Sequence, residues 1–378
     1  MSKLRQVGQP VLVVLIVLSL LVAVGGGWWA SNVLRDELLV PHAAPVVPDL
    51  DVLAVGSGRV VLSRTDLSET EGIWGLASPT AYGQVSTVAS VTDDRVERIL
   101  REFDGEFVAG DRVAMDAYAF AGDPLEAHGV AFEDVVVSGD VGFFPAWLVP
   151  GRSTTWVIFV HGKGVDERRQ VLRSLPALRE TGMPILAATY RNDDNAPRSE
   201  SGFRSWGLSE WRDIEAAMDF GLLQGAEDFV LIGHSGGAEI ISTLLHESEK
   251  VGLVRSVVFD SPVLSLETVA DEIFERRNVP SVFRSFAKRL VSLRFNIDWA
   301  RLDQVERAAE FDVPILIFHG TEDEIAPIEV SEAMAAAIPD LVTLEQTDTG
   351  HLYSWNRDPV RYEEVLLRFL AATTGDVP

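Results

Sequence analysis

The stretch Phe229-Val-Leu-Ile-Gly-His-Ser-Gly-Gly-Ala238 most restricts the folds open to this chain. Four apolar residues, Phe229 to Ile232, predict a buried strand. Ala238 to Leu245 predicts a helix with Ile240, Ile241, Leu244 and Leu245 on one side. Between them lies Gly233-His234-Ser235-Gly236-Gly237, the pattern G-x-S-x-G. A strand that becomes a helix so abruptly needs glycines beside the turn, because a Cβ there would collide with its neighbours. A serine on such a turn projects its hydroxyl clear of the sheet. The next N–H, on Gly236, lies at a helix N-terminus, where partial positive charge favours an anion. The alternative is a glycine-rich turn before a packed helix, so the rest of the chain has to supply the partners of a nucleophile.

From Phe132 onward, apolar runs alternate with helical patterns. The runs are Trp156–Val160, Ile185–Tyr190, Phe229–Ile232, Val254–Phe259, Ile315–Phe318 and Leu341–Leu344. The helices expected between and after them are Asp166–Thr181 (kinked at Pro176), Leu208–Leu223, Ala238–Ser248, Glu329–Ile338 and Pro359–Ala372. Unbroken apolar strands separated by helices predict an α/β fold, a parallel sheet covered on both faces. Val135–Ser138 and Phe143–Val149 predict a hairpin, with Gly139-Asp140 among its turn residues. The longest connection, 262–312, holds several helices and is expected to lie over the carboxyl edge of the sheet as a cap. Phe274, Phe283, Phe286 and Trp299 give it apolar bulk, most of it for its own packing.

The first half reads differently. Residues 1–10 carry Lys3 and Arg5, and Val11 to Val24 is apolar apart from Ser19, running on to Trp28-Trp29-Ala30. Twenty residues at helical rise span about 30 Å, the thickness of a bilayer core. Basic residues precede the run, Asp36 and Glu37 follow it, and the tryptophans fall where interfacial aromatics belong. Residues 11–30 are therefore expected to be a transmembrane helix, an uncleaved signal-anchor with a cytoplasmic N-terminus and an extracytoplasmic catalytic domain. A cleaved signal peptide is the rival, but both small-residue sites place a bulky residue at the −3 position. Residues 31–50 read as a Pro-rich tether. Residues 51–130 read as a β-rich segment of unknown role. Strands are expected around Val52–Val55, Arg59–Leu62 and Val113–Phe120, and a helix at Asp93–Phe103 on the spacing of Val96, Ile99, Leu100 and Phe103. Residues 131–372 form the regular α/β domain, and 373–378 a loose tail.

Composition narrows the chemistry. A formal charge of −25 argues against a nucleic-acid partner, which needs clustered Lys and Arg. With no cysteine, thiol catalysis, disulfides and Cys-ligated zinc are excluded. The aspartates Asp93, Asp116 and Asp123 are scattered without metal-loop spacing, and no metal or organic cofactor is expected.

A serine nucleophile needs a base, and the base an orienting acid. Of seven histidines, His42 falls in the tether, His128 in a solvent-facing loop of the lead-in and His246 late in a helix. His234 adjoins Ser235 and cannot fold back on it. His161 and His319 each end a strand in a His-Gly pair. His351 remains, in the loop Thr349-Gly-His-Leu-Tyr353 between the last strand and the last helix. Asp323 directly follows strand Ile315–Phe318, at the sheet edge that bears Ser235. Its neighbours Glu322 and Glu324, and Asp260 after Val254–Phe259, are rivals for the acid. The order Ser235, Asp323, His351 is the one expected when nucleophile, acid and base follow successive strands. An oxyanion needs a second N–H besides Gly236. The turn His161-Gly-Lys-Gly164 supplies it, from Lys163 or else Gly164.

His161-Gly-Lys-Gly164, Gly233-His-Ser-Gly-Gly237, His319-Gly-Thr-Glu-Asp323 and Gly350-His351, in this order, make the segment from Phe132 to Ala372 resemble the α/β-hydrolase superfamily. With the short cap and the turn Asp260-Ser-Pro262, it looks like membrane-associated lipases and acyl-peptidase-type relatives. The resemblance implies a mostly parallel eight-stranded sheet and hydrolysis of a small acyl or lipid-like ester through an acyl-serine. A serine peptidase of the same fold is the alternative, and a catalytically silent binding protein the non-enzymatic one. Lys163 departs from the all-glycine form of the His-Gly turn. The resemblance does not cover residues 51–129, and neither substrate identity nor oligomeric state is encoded in these motifs.

Overall fold

The computed structural model describes residues 17, 21–41, 47–164 and 167–375. Within them lie two β-structures, a small closed barrel and an eight-stranded sheet.

The barrel comprises β1 (Leu50–Gly56), β2 (Arg59–Ser63), β3 (Trp74–Ala77), β4 (Tyr82–Val91), β5 (Arg95–Asp104) and β6 (Arg112–Asp116). The strands pair in the order β1-β2-β5-β4-β3-β6, and β6 returns to β1 through Leu50–Val113 and Asp51–Arg112. All of these pairs are antiparallel. Its interior is filled by Leu50, Val60, Leu62, Trp74, Val85 and Val113, among others. Closure leaves the small sheet without an unpaired edge.

The helix expected at Asp93–Phe103 is β5. Its inward residues are Val96, Arg98 and Leu100, at period two, while Ile99 and Phe103 are exposed. A buried arginine in the middle of the apolar alternation hides a strand's period. Arg98 is satisfied inside the barrel: its guanidinium donates to the carbonyls of Ser68, Thr70, Gly72 and Ser86 at 2.7–3.0 Å. Burial pulls its pKa down to about 10, still above any working pH.

The large sheet has the order β14-β13-β12-β11-β9-β10-β8-β7. β7 (Glu133–Gly139) and β8 (Gly142–Val149) form the expected hairpin, and β8 joins β10 (Ile185–Ala188) antiparallel. β9 (Thr155–Val160), β10, β11 (Asp228–His234), β12 (Val254–Asp260), β13 (Ile315–Gly320) and β14 (Val342–Thr347) pair in parallel. Alternate residues of each strand feed two cores. Ile158, Phe229 and Leu231 pack on one face with the helices Trp211–Leu223 and Gly236–Glu247. Val157, Phe159 and Val230 pack on the other with Leu175–Glu180 and Pro359–Thr374. The segment expected as one kinked helix from Asp166 is a 3-10 turn, Arg168–Arg173, followed by a short helix with Pro176 in its first turn, where its missing N–H costs nothing.

The cap comprises the helices Leu266–Arg276 and Ser281–Phe295. It does not pack alone. Residues 21–34 are helical and run on into a π-helical turn, Arg35–Leu39. Ala30, Leu34 and Leu38, one helical turn apart, bury themselves against Val263, Ala270, Phe274 and Val291 of the cap region. This overturns the tether reading of residues 31–39, whose spacing of leucines is that of a docked helix. Residues 11–16 and 18–20 of the expected transmembrane segment lie outside the described residues, as does 42–46 of the tether. Among the described residues no helix is long and apolar enough to cross a membrane. Trp28 and Trp29 are half exposed, with Arg294 stacked 4.0 Å over the Trp28 ring.

Candidate active site

β11 ends at His234, and Ser235 follows at φ 50°, ψ −115°. A non-glycine residue held there costs of order 1–3 kcal/mol. The backbone pins it: Ser235 N–H donates to Asp260 O at 2.9 Å, while Ala238 and Val263 N–H donate to Ser235 O at 3.1 Å. A Cβ on Gly233 would lie 2.7 Å from Ala238 N, and one on Gly237 would fall well inside van der Waals distance of the Val160 carbonyl. Both glycines are therefore required by close approach between β11, β9 and the helix.

His351 is brought over this turn by the loop after β14. Its Nε2 lies 2.9 Å from Ser235 Oγ and its Nδ1 2.7 Å from Asp323 Oδ2. Asp323 stands just past β13. Its Oδ1 accepts the N–H groups of Ile325 and Ala326 at 2.9 Å, and His319 Nε2 lies 3.3 Å from Oδ2. Burial by itself would raise this carboxyl, but the hydrogen bonds from His319 and His351 outweigh it and hold it well below the usual carboxylate range. An anion at this position fixes the Nδ1 proton of His351, which leaves Nε2 as an acceptor facing the serine hydroxyl. The rival acids are elsewhere: Glu322 and Glu324 are exposed, and Asp260 accepts the Tyr362 hydroxyl at 3.1 Å with no hydrogen bond to His351.

The remaining histidines have structural partners. His161 is buried, 2.8 Å from Asp193 and stacked on Tyr190. Burial opposes its charged form, yet Asp193 outweighs burial and raises its pKa. His319 Nδ1 meets Ser331 Oγ at 2.7 Å, and His246 Nε2 meets Gln304 Oε1 at 2.9 Å. His234 packs on Phe159, and burial, then Arg173, push its pKa well down. His128 is not a solvent-facing loop residue: it ends a short helix, with Nε2 2.8 Å from Leu172 O and its ring against Phe120. His42 lies outside the described residues.

Gly236 is the first residue of the helix Gly236–Glu247, so its N–H opens the helix beside Ser235. The His161–Gly164 turn reaches the same place: a Cβ on Gly162 would lie 3.1 Å from Ser235 Cβ. Gly162 N–H donates to Gln170 Oε1 at 3.1 Å, which leaves Lys163 as the next backbone donor along the turn. The Lys163 ammonium is tied elsewhere, to Glu37 O on the N-terminal helix. Among the described residues no group of acidic and imidazole side chains is arranged to hold a metal.

A cavity of about 350 Å³ opens beside Ser235 and His351. Val263, Val269, Ile273 and Leu352 line its apolar wall, with Tyr118, Trp206 and Arg276 adding polar atoms. None of Phe274, Phe283, Phe286 or Trp299 lines it. Sequence reasoning missed Glu37 and Leu38, which also face this cavity, because residues 31–39 were read as tether; the Leu34–Leu38 spacing carried the signal. Tyr118 and Trp206 are isolated aromatics outside any motif, and nothing in their sequence context marks them.

Residues 148–365, more than half of the chain, match the model described as "Alpha/beta hydrolase family". Residues 51–116 match one described as "Domain of unknown function (DUF8805)". No curated protein matches the sequence. Among solved structures, the chain is similar to the Pyrococcus furiosus esterase Pf2001, at 18% identity and a TM-score of 0.55, covering 68% of this chain and 95% of the esterase. It is also similar to a Mycobacterium tuberculosis puromycin-hydrolyzing peptidase, at 16% identity and a TM-score of 0.50, covering 88% of this chain and 57% of the peptidase. At these identities the likeness is one of fold, and it agrees with the family match: the chain belongs to the alpha/beta hydrolase family.

Proposed function

We propose that the protein is a serine hydrolase that cleaves carboxylic esters with an apolar acyl portion through an acyl-serine intermediate. Ser235 Oγ attacks the acyl carbon while its proton passes to His351 Nε2. The oxyanion that forms accepts hydrogen bonds from the N–H groups of Gly236 and Lys163. His351 returns the proton to the leaving alcohol as the C–O bond breaks. Water then attacks the acyl-serine by the same route, giving the carboxylic acid and free Ser235. Asp323 holds the imidazole in the required tautomer throughout. The observation that carries this reading is the continuous run Ser235 Oγ, His351, Asp323, at 2.9 and 2.7 Å, at the mouth of an apolar cavity.

The substrate preference rests on that wall of Val263, Val269 and Ile273, which suits an acyl chain better than a charged one. A peptidase activity of the same site is the second reading, supported by the puromycin-hydrolyzing relative, whose likeness extends over most of this chain. The localisation is proposed on sequence alone: residues 11–30 anchor the chain, and protease added to intact cells reaches the catalytic domain.

The test is labelling by a fluorophosphonate, followed by turnover of p-nitrophenyl esters, lysolipids and peptide amides. Wild type labels and Ser235→Ala does not, and esters turn over faster than amides. Equal labelling of Ser235→Ala removes the nucleophile assignment, and faster amide turnover selects the peptidase.

A further inference from the structure

The barrel has no residue in the Ser-His-Asp run, yet it grips the segment that carries the base. His351 is followed by Leu352, which sits at φ 63°, a conformation a branched side chain resists. Two groups hold it there, and Asn356 fixes the second. Leu352 N–H donates to Ser261 Oγ at 2.8 Å, and Arg173 Nη1 donates to Leu352 O at 2.5 Å and to Asn356 Oδ1 at 3.1 Å. Asn356 is fully buried, and the rest of its polar surface is spent on the barrel. Its Nδ2 donates to Ile73 O and to Ala117 O, both at 2.7 Å, and its own carbonyl accepts Ile73 N–H at 2.9 Å. Ile73 immediately precedes β3, and Ala117 immediately follows β6. Beside them Tyr353 meets Trp74 of the barrel core edge-on, with ring centroids 4.7 Å apart.

The seam is close-packed and anchored from within. A Cβ on Gly72, whose φ is 116°, would fall well inside van der Waals distance of the Asn356 carbonyl oxygen. Gly72 O in turn accepts Arg98 Nη2 at 2.9 Å, so the buried arginine fixes the barrel edge that presses on the histidine loop. A second coupling runs to the oxyanion side. Asp116, at the end of β6, pairs with Arg169 at 2.6 Å. Two residues later, Tyr118 OH accepts Gln170 Nε2 at 2.9 Å, and Gln170 Oε1 accepts Gly162 N–H in the His161–Gly164 turn.

We propose that the barrel, the segment matching the domain family of unknown function, is a positioning module for the hydrolase site: through Asn356 it sets the His351 loop, and through Tyr118 and Gln170 the turn bearing Lys163. This rests on the triad reading given above. A buried asparagine whose amide satisfies two backbone carbonyls of one unit and an arginine of the other, and whose own carbonyl takes a third backbone group, transmits displacement directly, because any slip leaves unpaired polar atoms. Asn356, Gly72 and Gln170 are positioning residues, since none of them touches the reacting atoms.

The test is steady-state ester hydrolysis and the rate of fluorophosphonate labelling in full-length variants. Gly72→Ala and Asn356→Ala should each lower kcat and the labelling rate together by about 10- to 100-fold, a displacement of 1 Å at a reacting group being worth about the latter. KM should stay within about threefold, since neither residue lines the cavity. Val52→Ala, which thins the barrel core on β1 opposite Leu62 of β2, is the control for general loosening and should keep kcat within about twofold. Should Gly72→Ala not fold, Trp74→Leu reads the same seam. The proposal is overturned if the seam variants keep wild-type kcat, if they raise KM alone, or if Val52→Ala lowers kcat as much as they do. Undiminished labelling of Ser235→Ala would instead overturn the triad reading, so the two failures are distinguishable.

Discussion

Asp323→Asn tests the electrostatic logic of the site most directly. The side chain is isosteric, so Oδ1 can go on accepting the Ile325 and Ala326 N–H groups, which orient it at 2.9 Å. The amide nitrogen then replaces Oδ2, 2.7 Å from His351 Nδ1. Two donors cannot face each other at that distance, so the imidazole adopts the tautomer with its proton on Nε2. That proton points at Ser235 Oγ, and the base can no longer accept one. The charge that stabilises the imidazolium during attack is lost as well. Loss of the acid in a preserved Ser-His-Asp geometry lowers kcat by about 10⁴-fold, which corresponds to about 5.5 kcal/mol at 1.36 kcal/mol per decade. The assay is p-nitrophenyl ester hydrolysis under saturation, with Asp260→Asn alongside. Asp260 is equally buried but bonded to Tyr362, and its pKa is raised, by burial above all, toward the neutral form an asparagine mimics. Asp260→Asn should stay within about tenfold of wild type. A kcat for Asp323→Asn within tenfold of wild type, or an equal fall for Asp260→Asn, would refute the assignment of the acid.

Two further outcomes follow from the same geometry. Asp323 is held below its ordinary pKa in the folded chain, so its contribution to stability is present above about pH 4, the unfolded value, and is lost as pH falls toward its folded value. Chemical denaturation from pH 5 down to pH 2.5 should show a steeper loss for wild type than for Asp323→Asn, and parallel curves would count against the depressed carboxyl. Gly237→Ala places a methyl group against the Val160 and His161 carbonyls, and should cost about 1–3 kcal/mol as overpacking, read as a lowered denaturation midpoint at unchanged m; an unchanged midpoint would mean β9 and the helix are not in close contact.

The site was legible where one residue type has few alternatives. A chain with seven histidines, three of them in strand-end or nucleophile turns, leaves little choice for the base, and Gly350-His351 falls at the right place in the strand order. The parallel sheet was legible because strands buried on both faces are continuous apolar runs, as at Val157–Val160 and Phe229–Ile232. β5 was not, because its buried arginine at position 98 breaks the alternation that marks a half-buried strand. A polar residue on the inward face is read as outward unless its partners are known, and those partners are carbonyls more than ten residues away. The cavity wall was illegible for a related reason. Tyr118, Trp206 and Arg276 come from three distant segments, and only the fold brings them to Ser235.

The N-terminal helix joins the two halves of the sequence reading. Its first described turns, with Leu21, Val22 and Val24, are exposed apolar surface, whereas Ala30, Leu34, Leu38 and Leu39 are buried in the cap cluster. The same segment ends at the catalytic cavity. Glu37 O accepts the Lys163 ammonium, Leu38 O accepts Trp206 Nε1 at 3.0 Å, and Leu39 O accepts Arg204 N–H at 2.8 Å. Lys163 is the residue whose backbone N–H is assigned to the oxyanion in the proposed mechanism, so the helix braces that turn through the Lys163 side chain. From Leu21 to Leu38 is 17 residues of helix, about 26 Å at 1.5 Å per residue. The described helix therefore carries exposed apolar surface at one end and part of the cavity wall at the other. Residues 31–39 are thus ordered helix because they form part of the active-site wall, a role that a flexible tether could not fill.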